Sequence, residues 1–180
     1  MAPATSIKLN YDDYLLMPSD GRRYEIIDGE LYVNPAPATR HQAISVRLLF
    51  ALHGFVVSRD LGYVFHAPID VRLGEHDIVE PDIVYVSATR AHIITDKNIV
   101  GAPDLVIEIL SHSNREYDTR VKFHRYEQHG VREYWIIDPE NNVASIYRRS
   151  GARFEAVEVA DALTTPLLPG LSIPLSDIFA

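Results

Sequence analysis

Two carboxylates lie in stretches of sequence that are otherwise apolar. Asp82 follows Pro81 in DIVEPDIVYVS (residues 77–87), and Glu108 lies in APDLVIEILS (residues 102–111). Burying an ionised carboxylate without a partner is costly, so each must be paired, bound to a metal or turned toward a cleft. Two such acids on neighbouring strands would form the oxygen-rich kind of site that Mg²⁺ or Mn²⁺ prefers.

A lysine supplies a third group for this chemistry. Lys122 lies in the predicted helix after the Glu108 strand, one turn beyond Asp118. A cation there could orient a water and stabilise charge developing on a phosphate, while a metal lowers the pKa of that water. Structural alternatives stay open: Asp82 as a turn cap, Glu108 paired with an arginine, and Lys122 in a surface pair with Asp118.

A β-hairpin is predicted ahead of these groups. The run YEIIDGELYV (residues 24–33) has two apolar-rich segments around Asp28-Gly29, the strongest short hairpin signal. A two-residue turn pairs Ile27 with Glu30 and Glu25 with Tyr32. These four residues then share one face of the hairpin, because side chains alternate along a strand.

The remaining elements follow from hydrophobic periodicity. Ile44, Leu48 and Leu52 have helical spacing and predict a core helix over 41–53. A second helix is expected to begin at Ser113 or Asn114 and to end at Gly130. Strands are predicted over residues 62–73, 77–87, 102–111, 133–138, 143–148 and 153–159.

This order of elements predicts one domain over residues 1–180 with an α/β (α+β) fold. One mixed central sheet is flanked by helices, and the hairpin precedes it. Residues 1–20 form an N-terminal extension, and the proline-punctuated residues 160–180 form a C-terminal strap.

Composition excludes several classes of function. The chain has no cysteine, which removes disulfides, thiol nucleophiles and thiolate-bound metals. The sequence contains no G-x-S-x-G, phosphate-loop, dinucleotide-binding or H-E-x-x-H motif, and its eight histidines lack metal-ligand spacing. No apolar run has the length of a membrane span and no leader is evident, so we expect a cytoplasmic protein without a membrane partner.

Charge is unevenly distributed along the chain. Seventeen basic and 25 acidic residues give a formal net charge of -8, the wrong sign for non-specific coating of nucleic acid. Residues 115–153 nevertheless contain eight basic and six acidic residues, a local excess of positive charge. Such a stretch is either a phosphate-facing patch or an ordinary solvated surface.

An ordered series of motifs resembles the Uma-type family of restriction endonucleases and spans nearly the whole chain, from about residue 22 to 179. The series consists of RRYEIIDGELYVNPAP, His41, EPDIVYVS, GAPDLVIEILS, Asp118 with Lys122 and Tyr126, GVREYWIIDP, and PLLPGLSIPLSDIF. The family is similar to the PD-(D/E)XK nuclease superfamily. The resemblance implies a restriction-endonuclease-like core and a Mg²⁺- or Mn²⁺-dependent nuclease whose partner is nucleic acid, with DNA expected.

The resemblance also assigns site residues by position. Asp82 and Glu108 correspond to the paired acids, and the backbone carbonyl of Ile109 is a further metal ligand. The superfamily's lysine two residues after the second acid is replaced here by Leu110. Lys122 would take its place from the following helix, fourteen residues after Glu108.

Secondary candidates follow from the same resemblance. Other recurrent family positions match Glu25, Glu30 and His41, of which the two glutamates share the predicted hairpin face. The basic stretch would contact the nucleic-acid backbone, and its candidate contacts are Arg115, Arg120 and Arg125. Because many nucleases of this fold act as dimers, the resemblance also suggests a homodimer.

Two alternatives from other classes stay open. One is a catalytically silent nuclease-fold module for nucleic-acid binding or protein interaction, which the acidic net charge and the incomplete acid-x-lysine pattern favour. The other is a purely structural domain, which predicts neither metal nor nucleic-acid binding. Metal binding at Asp82 and Glu108 favours the enzyme.

Overall fold

Two mixed β-sheets form the framework of the protein, and helices pack on them. The computed structural model describes residues 7–112 and 115–180. Its strands, in chain order, are β1 (Arg23–Ile27), β2 (Glu30–Asn34), β3 (Gly62–His66), β4 (Val71–Gly74), β5 (Asp77–Val79), β6 (Ile83–Ser87), β7 (Ile99–Val100), β8 (Leu105–Ile109), β9 (Glu133–Asp138), β10 (Val143–Ser150), β11 (Arg153–Val157), β12 (Ala162–Leu163) and β13 (Ile173–Pro174).

The helices differ greatly in length. The α-helices are α1 (Tyr11–Tyr14), α2 (Thr39–Val57), α3 (Phe123–His129) and α4 (Leu175–Phe179). A 3₁₀ helix covers Ala88–Ile93, and a π-helical segment covers Tyr117–Lys122 directly before α3. In the described part of the chain, no helix combines the length and apolar character needed to cross a bilayer.

The strands divide between two main sheets. The larger has the order β11-β10-β9-β8-β6-β3 and the smaller β2-β1-β5-β4-β7, while β12 pairs with β13. β8 runs parallel to β9 and β4 parallel to β7, and the other pairs in the two sheets are antiparallel. The mixed α+β fold class is therefore confirmed, with the strands shared between two mixed sheets instead of one.

Two of the predicted strands are each broken at a proline. The run over 62–73 breaks around Pro68 into β3 and β4, and the run over 77–87 breaks around Pro81 into β5 and β6. Proline has no N–H to donate to a strand ladder, so each run leaves one sheet there and continues in the other. The prediction that Asp82 lies inside a strand is wrong: it lies at the crossover between the two sheets.

The hairpin forms with the predicted register. Asp28 and Gly29 have φ values of 52° and 80°, as a two-residue hairpin turn requires. Ile27 pairs with Glu30 and Glu25 with Tyr32. β1 then lies next to β5, which brings the hairpin beside the crossover.

The larger sheet separates two hydrophobic clusters. β8 confirms the predicted alternation, with Leu105, Ile107 and Ile109 in one cluster and Val106 and Leu110 in the other. The first cluster is covered by α2 and by the C-terminal segment, which contribute buried residues including Ile44, Leu48, Leu52, Leu168, Ile173 and Ile178.

The segment from 115 to 129 covers the other cluster. Its predicted helix is confirmed up to Gly130, whose φ of 90° ends α3, while the predicted caps at Ser113 and Asn114 lie outside the described residues. The π-helical segment was not predicted. Such segments are rare and are frequent at functional sites.

Candidate active site

Asp82 accepts hydrogen bonds from groups on three different elements. Its Oδ2 accepts the backbone N–H of Ile109 at 2.8 Å and lies 3.1 Å from Nε2 of His41 on α2. Its Oδ1 lies 3.4 Å from a guanidinium nitrogen of Arg23 on β1. Burial alone would raise the pKa of Asp82, but these donors outweigh it and lower the pKa below its usual value. Asp82 is therefore ionised, and Nε2 of His41 carries the proton between them.

Glu108 on β8 is engaged from the helix that follows it. Its Oε1 accepts from Nζ of Lys122 at 2.9 Å and from the hydroxyl of Tyr126 at 2.7 Å. Burial raises the pKa of Glu108 to about 8, because nearby carboxylates add to the effect and the attraction of Lys122 only partly offsets it. Glu108 therefore exchanges a proton near neutral pH.

Lys122 lies among three carboxylates. Its Nζ is 2.9 Å from Glu25, 2.9 Å from Glu108 and 3.5 Å from Asp118. The ammonium group donates a hydrogen bond to Glu108 and forms ion pairs with Glu25 and Asp118. Burial lowers the pKa of Lys122, but Glu108 and Glu25 more than compensate and raise it well above its ordinary value.

The two glutamates of the hairpin, Glu25 and Glu30, lie in different environments. Glu25 is fully buried, accepts hydrogen bonds from the side-chain amide of Asn34 and from the backbone N–H of Glu80 at 2.7 Å, and forms an ion pair with Lys122. Glu30 is exposed beside the turn, where the hydroxyl of Tyr32 contacts it. Of the two, the structure brings only Glu25 to the site.

A cavity of about 280 Å³ opens onto this cluster. The ionisable side chains on its wall are Arg23, His41, Asp82, Glu108, His112, Asp118 and Lys122. With Glu25 directly behind Lys122, four carboxylates are opposed by two permanent cations, Lys122 and Arg23, so the cluster carries two excess negative charges when all four acids are ionised. Burial also raises the pKa of Asp118, to about 6. Buried excess charge is relieved by protons or by a bound cation.

The donors fit a loosely held divalent cation better than a closed metal cage. Within residues 7–112 and 115–180, no three His, Cys, Asp or Glu side chains are grouped as ligands for a metal ion. Lys122 and Tyr126 both bond Oε1 of Glu108 and leave Oε2 to other partners. Mg²⁺ is commonly held by one or two carboxylates and several waters, and Asp82 and Glu108 line the cavity as two such carboxylates, with Ile109 on the same wall.

The three candidate arginines do not line the cavity. Each pairs with carboxylates elsewhere: Arg115 with Asp138 and Glu140, Arg120 with Glu116, and Arg125 with Asp28 and Asp77. Their contact with nucleic acid stays a prediction, and it requires exchange of these carboxylates for phosphates.

Sequence reasoning missed two residues of the cluster. Arg23 lies two residues before Glu25 on β1 and so shares its face, which strand alternation could have shown. Tyr126 lies four residues after Lys122, one helical turn away, and bonds the same oxygen of Glu108.

Comparisons with known proteins agree with this fold. Residues 11–176 match the family Uma2, described as "Putative restriction endonuclease". The chain belongs to the Uma2 family. The resemblance identified in the sequence is thereby confirmed.

A solved structure supports the fold of this Uma2 member. The crystal structure of "a putative nuclease belonging to DUF820" from Anabaena variabilis ATCC 29413 has a TM-score of 0.79 and 24% sequence identity. The alignment covers 95% of this chain and 97% of that chain. No curated protein sequence matches the chain. At this identity the likeness to the Anabaena protein establishes the fold alone.

Proposed function

We propose that this Uma2 protein is a metal-dependent endonuclease that hydrolyses phosphodiester bonds in nucleic acid, with DNA as its substrate and the cytoplasm as its compartment. Family membership indicates a nuclease. The observation that carries the proposal is the grouping of four carboxylates against two permanent cations around the cavity, an excess of acidic groups that a divalent cation would balance. Protonation of the acids would also reduce the negative charge, but it would give Asp82 and Glu108 no role in catalysis.

Asp82 and Glu108 would hold the ion, with the carbonyl of Ile109 as a further ligand. A bound Mg²⁺ or Mn²⁺ would lower the pKa of a coordinated water and withdraw charge from the phosphate. The N–H of Ile109 and the ring of His41 fix the orientation of Asp82 and keep it ionised. Tyr126 and Lys122 fix Glu108 through one of its two oxygens.

Lys122 has a positioning role in this arrangement. Its ammonium group forms ion pairs with Glu25, Glu108 and Asp118, so it neutralises part of their charge and holds them apart. To polarise the attacking water, Lys122 must release one of them, and Asp118 at 3.5 Å is the most distant.

A catalytically silent nucleic-acid-binding or protein-interaction module is the second candidate. It is favoured by the position of Lys122, which already neutralises part of the acid cluster, and by the lack of a three-residue ligand group in the described chain. It predicts that the protein folds and binds partners without any divalent cation.

The test is cleavage of nucleic acid with Mg²⁺ or Mn²⁺. Supercoiled DNA, single-stranded DNA and RNA would be incubated with the wild type, Asp82→Asn and Glu30→Gln, where the last removes the same charge from an exposed site. We expect cleavage by the wild type and Glu30→Gln, none by Asp82→Asn, and loss of DNA binding as salt rises. Absence of cleavage by the wild type on every substrate, or cleavage by Asp82→Asn, contradicts the proposal.

We also propose that the protein forms a homodimer through the exposed face of α2. Ala43, Val46, Phe50, His53 and Val57 are exposed and repeat at spacings of three and four residues, the pattern of a helix–helix seam. Phe50 is 83% exposed at the centre of this stripe.

A second copy fits this stripe better than another partner does. The stripe is symmetric about Phe50, so two antiparallel copies place equivalent residues opposite each other in an isologous contact. α2 contains no acidic residue, which lets two chains of net charge -8 approach there without repulsion. Exposed Arg40 at one end would also lie near exposed Asp60 of the other copy. Two sites in one particle could act on both strands of a duplex.

A further inference from the structure

A second cavity adjoins the candidate active site. Its volume is about 430 Å³, and Arg23, Asn34, His41 and Asp82 line both cavities. A volume of this size lies within the range of small-molecule sites, about 300–1,000 Å³. A ligand bound in the second cavity would therefore lie next to Asp82.

Three polar side chains of this wall have an unpartnered buried atom. Within the described residues, Oε2 of Glu80, Nε of Arg23 and Nδ1 of His41 have no hydrogen-bond partner. Glu80 is 7% exposed and His41 6% exposed. Buried polar atoms are nearly always paired, so three on one cavity point to a ligand.

The donor and acceptor character of these atoms follows from their other contacts. Nε of Arg23 is always a donor. Oε2 of Glu80 is a carboxylate oxygen and accepts hydrogen bonds. The missing ligand must therefore offer both a donor and an acceptor.

Glu80 is the less satisfied of two acids that share one hydroxyl. The hydroxyl of Tyr14 lies 2.7 Å from Asp70 and 3.1 Å from Oε1 of Glu80. It has one proton, which the shorter contact assigns to Asp70. Oε1 of Glu80 thus has at most a share of one donor, and Oε2 has none.

We propose that the second cavity is a subsite for one nucleobase next to the scissile phosphate, and that it prefers a base with an exocyclic amino group beside a ring nitrogen, as in adenine and cytosine. This inference rests on the proposed nuclease function for the position of the phosphate. Glu80 accepts from the amino group, as acidic side chains do from cytosine, and Arg23 donates to the ring nitrogen. Thymine in the same position would present its O4 acceptor to Glu80 and its N3–H donor to Arg23, so neither hydrogen bond could form.

Nucleoside binding tests the subsite without phosphate, metal or cleavage. Deoxycytidine, deoxyadenosine and thymidine would be titrated against the full chain by ligand-observed NMR, using the wild type, Glu80→Gln and Glu75→Gln. Glu75 is exposed on the turn between β4 and β5 and serves as the matched control. We expect both amino nucleosides to bind at least about fivefold tighter than thymidine to the wild type and Glu75→Gln, and a ratio of about one in Glu80→Gln.

A cavity-filling variant keeps the test decisive if Glu80→Gln fails to fold. Ser45 lies on α2 and lines the second cavity, not the first. Ser45→Trp should abolish binding of all three nucleosides. Equal affinities in the wild type, binding of none of them, or an unchanged ratio in Glu80→Gln overturns the proposal.

Sequencing the ends of cleaved random-sequence DNA separates this inference from the nuclease proposal. An adenine or cytosine preference beside the cut that Glu80→Gln loses supports both. Selective nucleoside binding without any cleavage supports the subsite and counts against the nuclease. Cleavage with no base preference overturns the subsite alone.

Discussion

Asp82 and Glu108 line one cavity, yet their surroundings move their pKa values in opposite directions. Asp82 is buried among donors from α2, β1 and β8, so its pKa is lowered. Glu108 is buried among other carboxylates, and its pKa is raised to about 8. The residue types were evident in the sequence. Their ionisation was not, because the groups that determine it come from distant segments.

The raised pKa of Glu108 predicts a pH dependence of stability. Near neutral pH the folded state binds a proton that the unfolded chain, with its usual pKa of 4.5, has already lost. The free energy of unfolding that Glu108 contributes therefore decreases as the pH rises from about 4.5 to about 8. Glu108→Gln keeps the shape and removes the titration, so it should lose less stability over that interval, by about 1–4 kcal/mol.

Urea unfolding at about pH 5 and about pH 8 in metal-free buffer measures this difference. Glu116→Gln is the control, because Glu116 is exposed and forms a surface ion pair with Arg120. Its profile should follow that of the wild type. If the profile of Glu108→Gln also runs parallel to the wild type, the raised pKa is contradicted.

At the scale of elements, local signals predicted some features and missed others. Asp28-Gly29 determines both the turn and its register, so the hairpin formed as expected. Pro81 also carried a signal, since proline is excluded from central ladders, and the unbroken strand predicted there was wrong. The π-helical segment that places Lys122 has no such local signal in the sequence.

The hairpin positions Glu25, and its turn also packs against the N-terminal segment at Lys8. A Cβ on Gly29 would lie 2.5 Å from Cβ and 2.8 Å from Cα of Lys8, and Gly29 has a φ of 80°. Gly130 has a similar φ of 90° but open space around it. Gly130→Ala should cost about 1–2 kcal/mol of unfolding free energy from backbone strain alone. Gly29→Ala should cost about 1–3 kcal/mol more, because atoms must also move apart.

Urea unfolding of both variants at one pH provides the comparison. The matched φ values make Gly130→Ala the control for strain. Equal losses in the two variants would show that Lys8 does not pack on the turn in solution.

At the scale of the molecule, the site lies where the two sheets meet. Arg23 and Glu25 come from the smaller sheet, Glu108 from the larger, and Asp82 from the crossover between them. Sequence reasoning could list Asp82, Glu108 and Lys122 as candidates. It could not predict that Lys122 would form ion pairs with three carboxylates. Those ion pairs depend on the packing of β1 against the helix after β8.

The proposed dimer is a property of the whole molecule and has its own test. Phe50→Glu places a negative charge at the centre of the α2 stripe, where two copies would bring like charges together. We expect sedimentation equilibrium to give a dimer for the wild type and a monomer for the variant. Leu16→Glu changes an equally exposed side chain outside α2 and should leave the dimer intact. A monomeric wild type, or a dimeric Phe50→Glu, rejects this interface.

The central claim is that Asp82 anchors a divalent cation beside Glu108, and calorimetric titration of Mn²⁺ and Mg²⁺ tests it most directly. This measurement does not depend on the choice of substrate. Wild type and Glu30→Gln should bind the ions, and folded Asp82→Asn should bind them at least about tenfold more weakly. Equal binding by wild type and Asp82→Asn, or no binding by either, would contradict the metal site and leave the catalytically silent module as the better account.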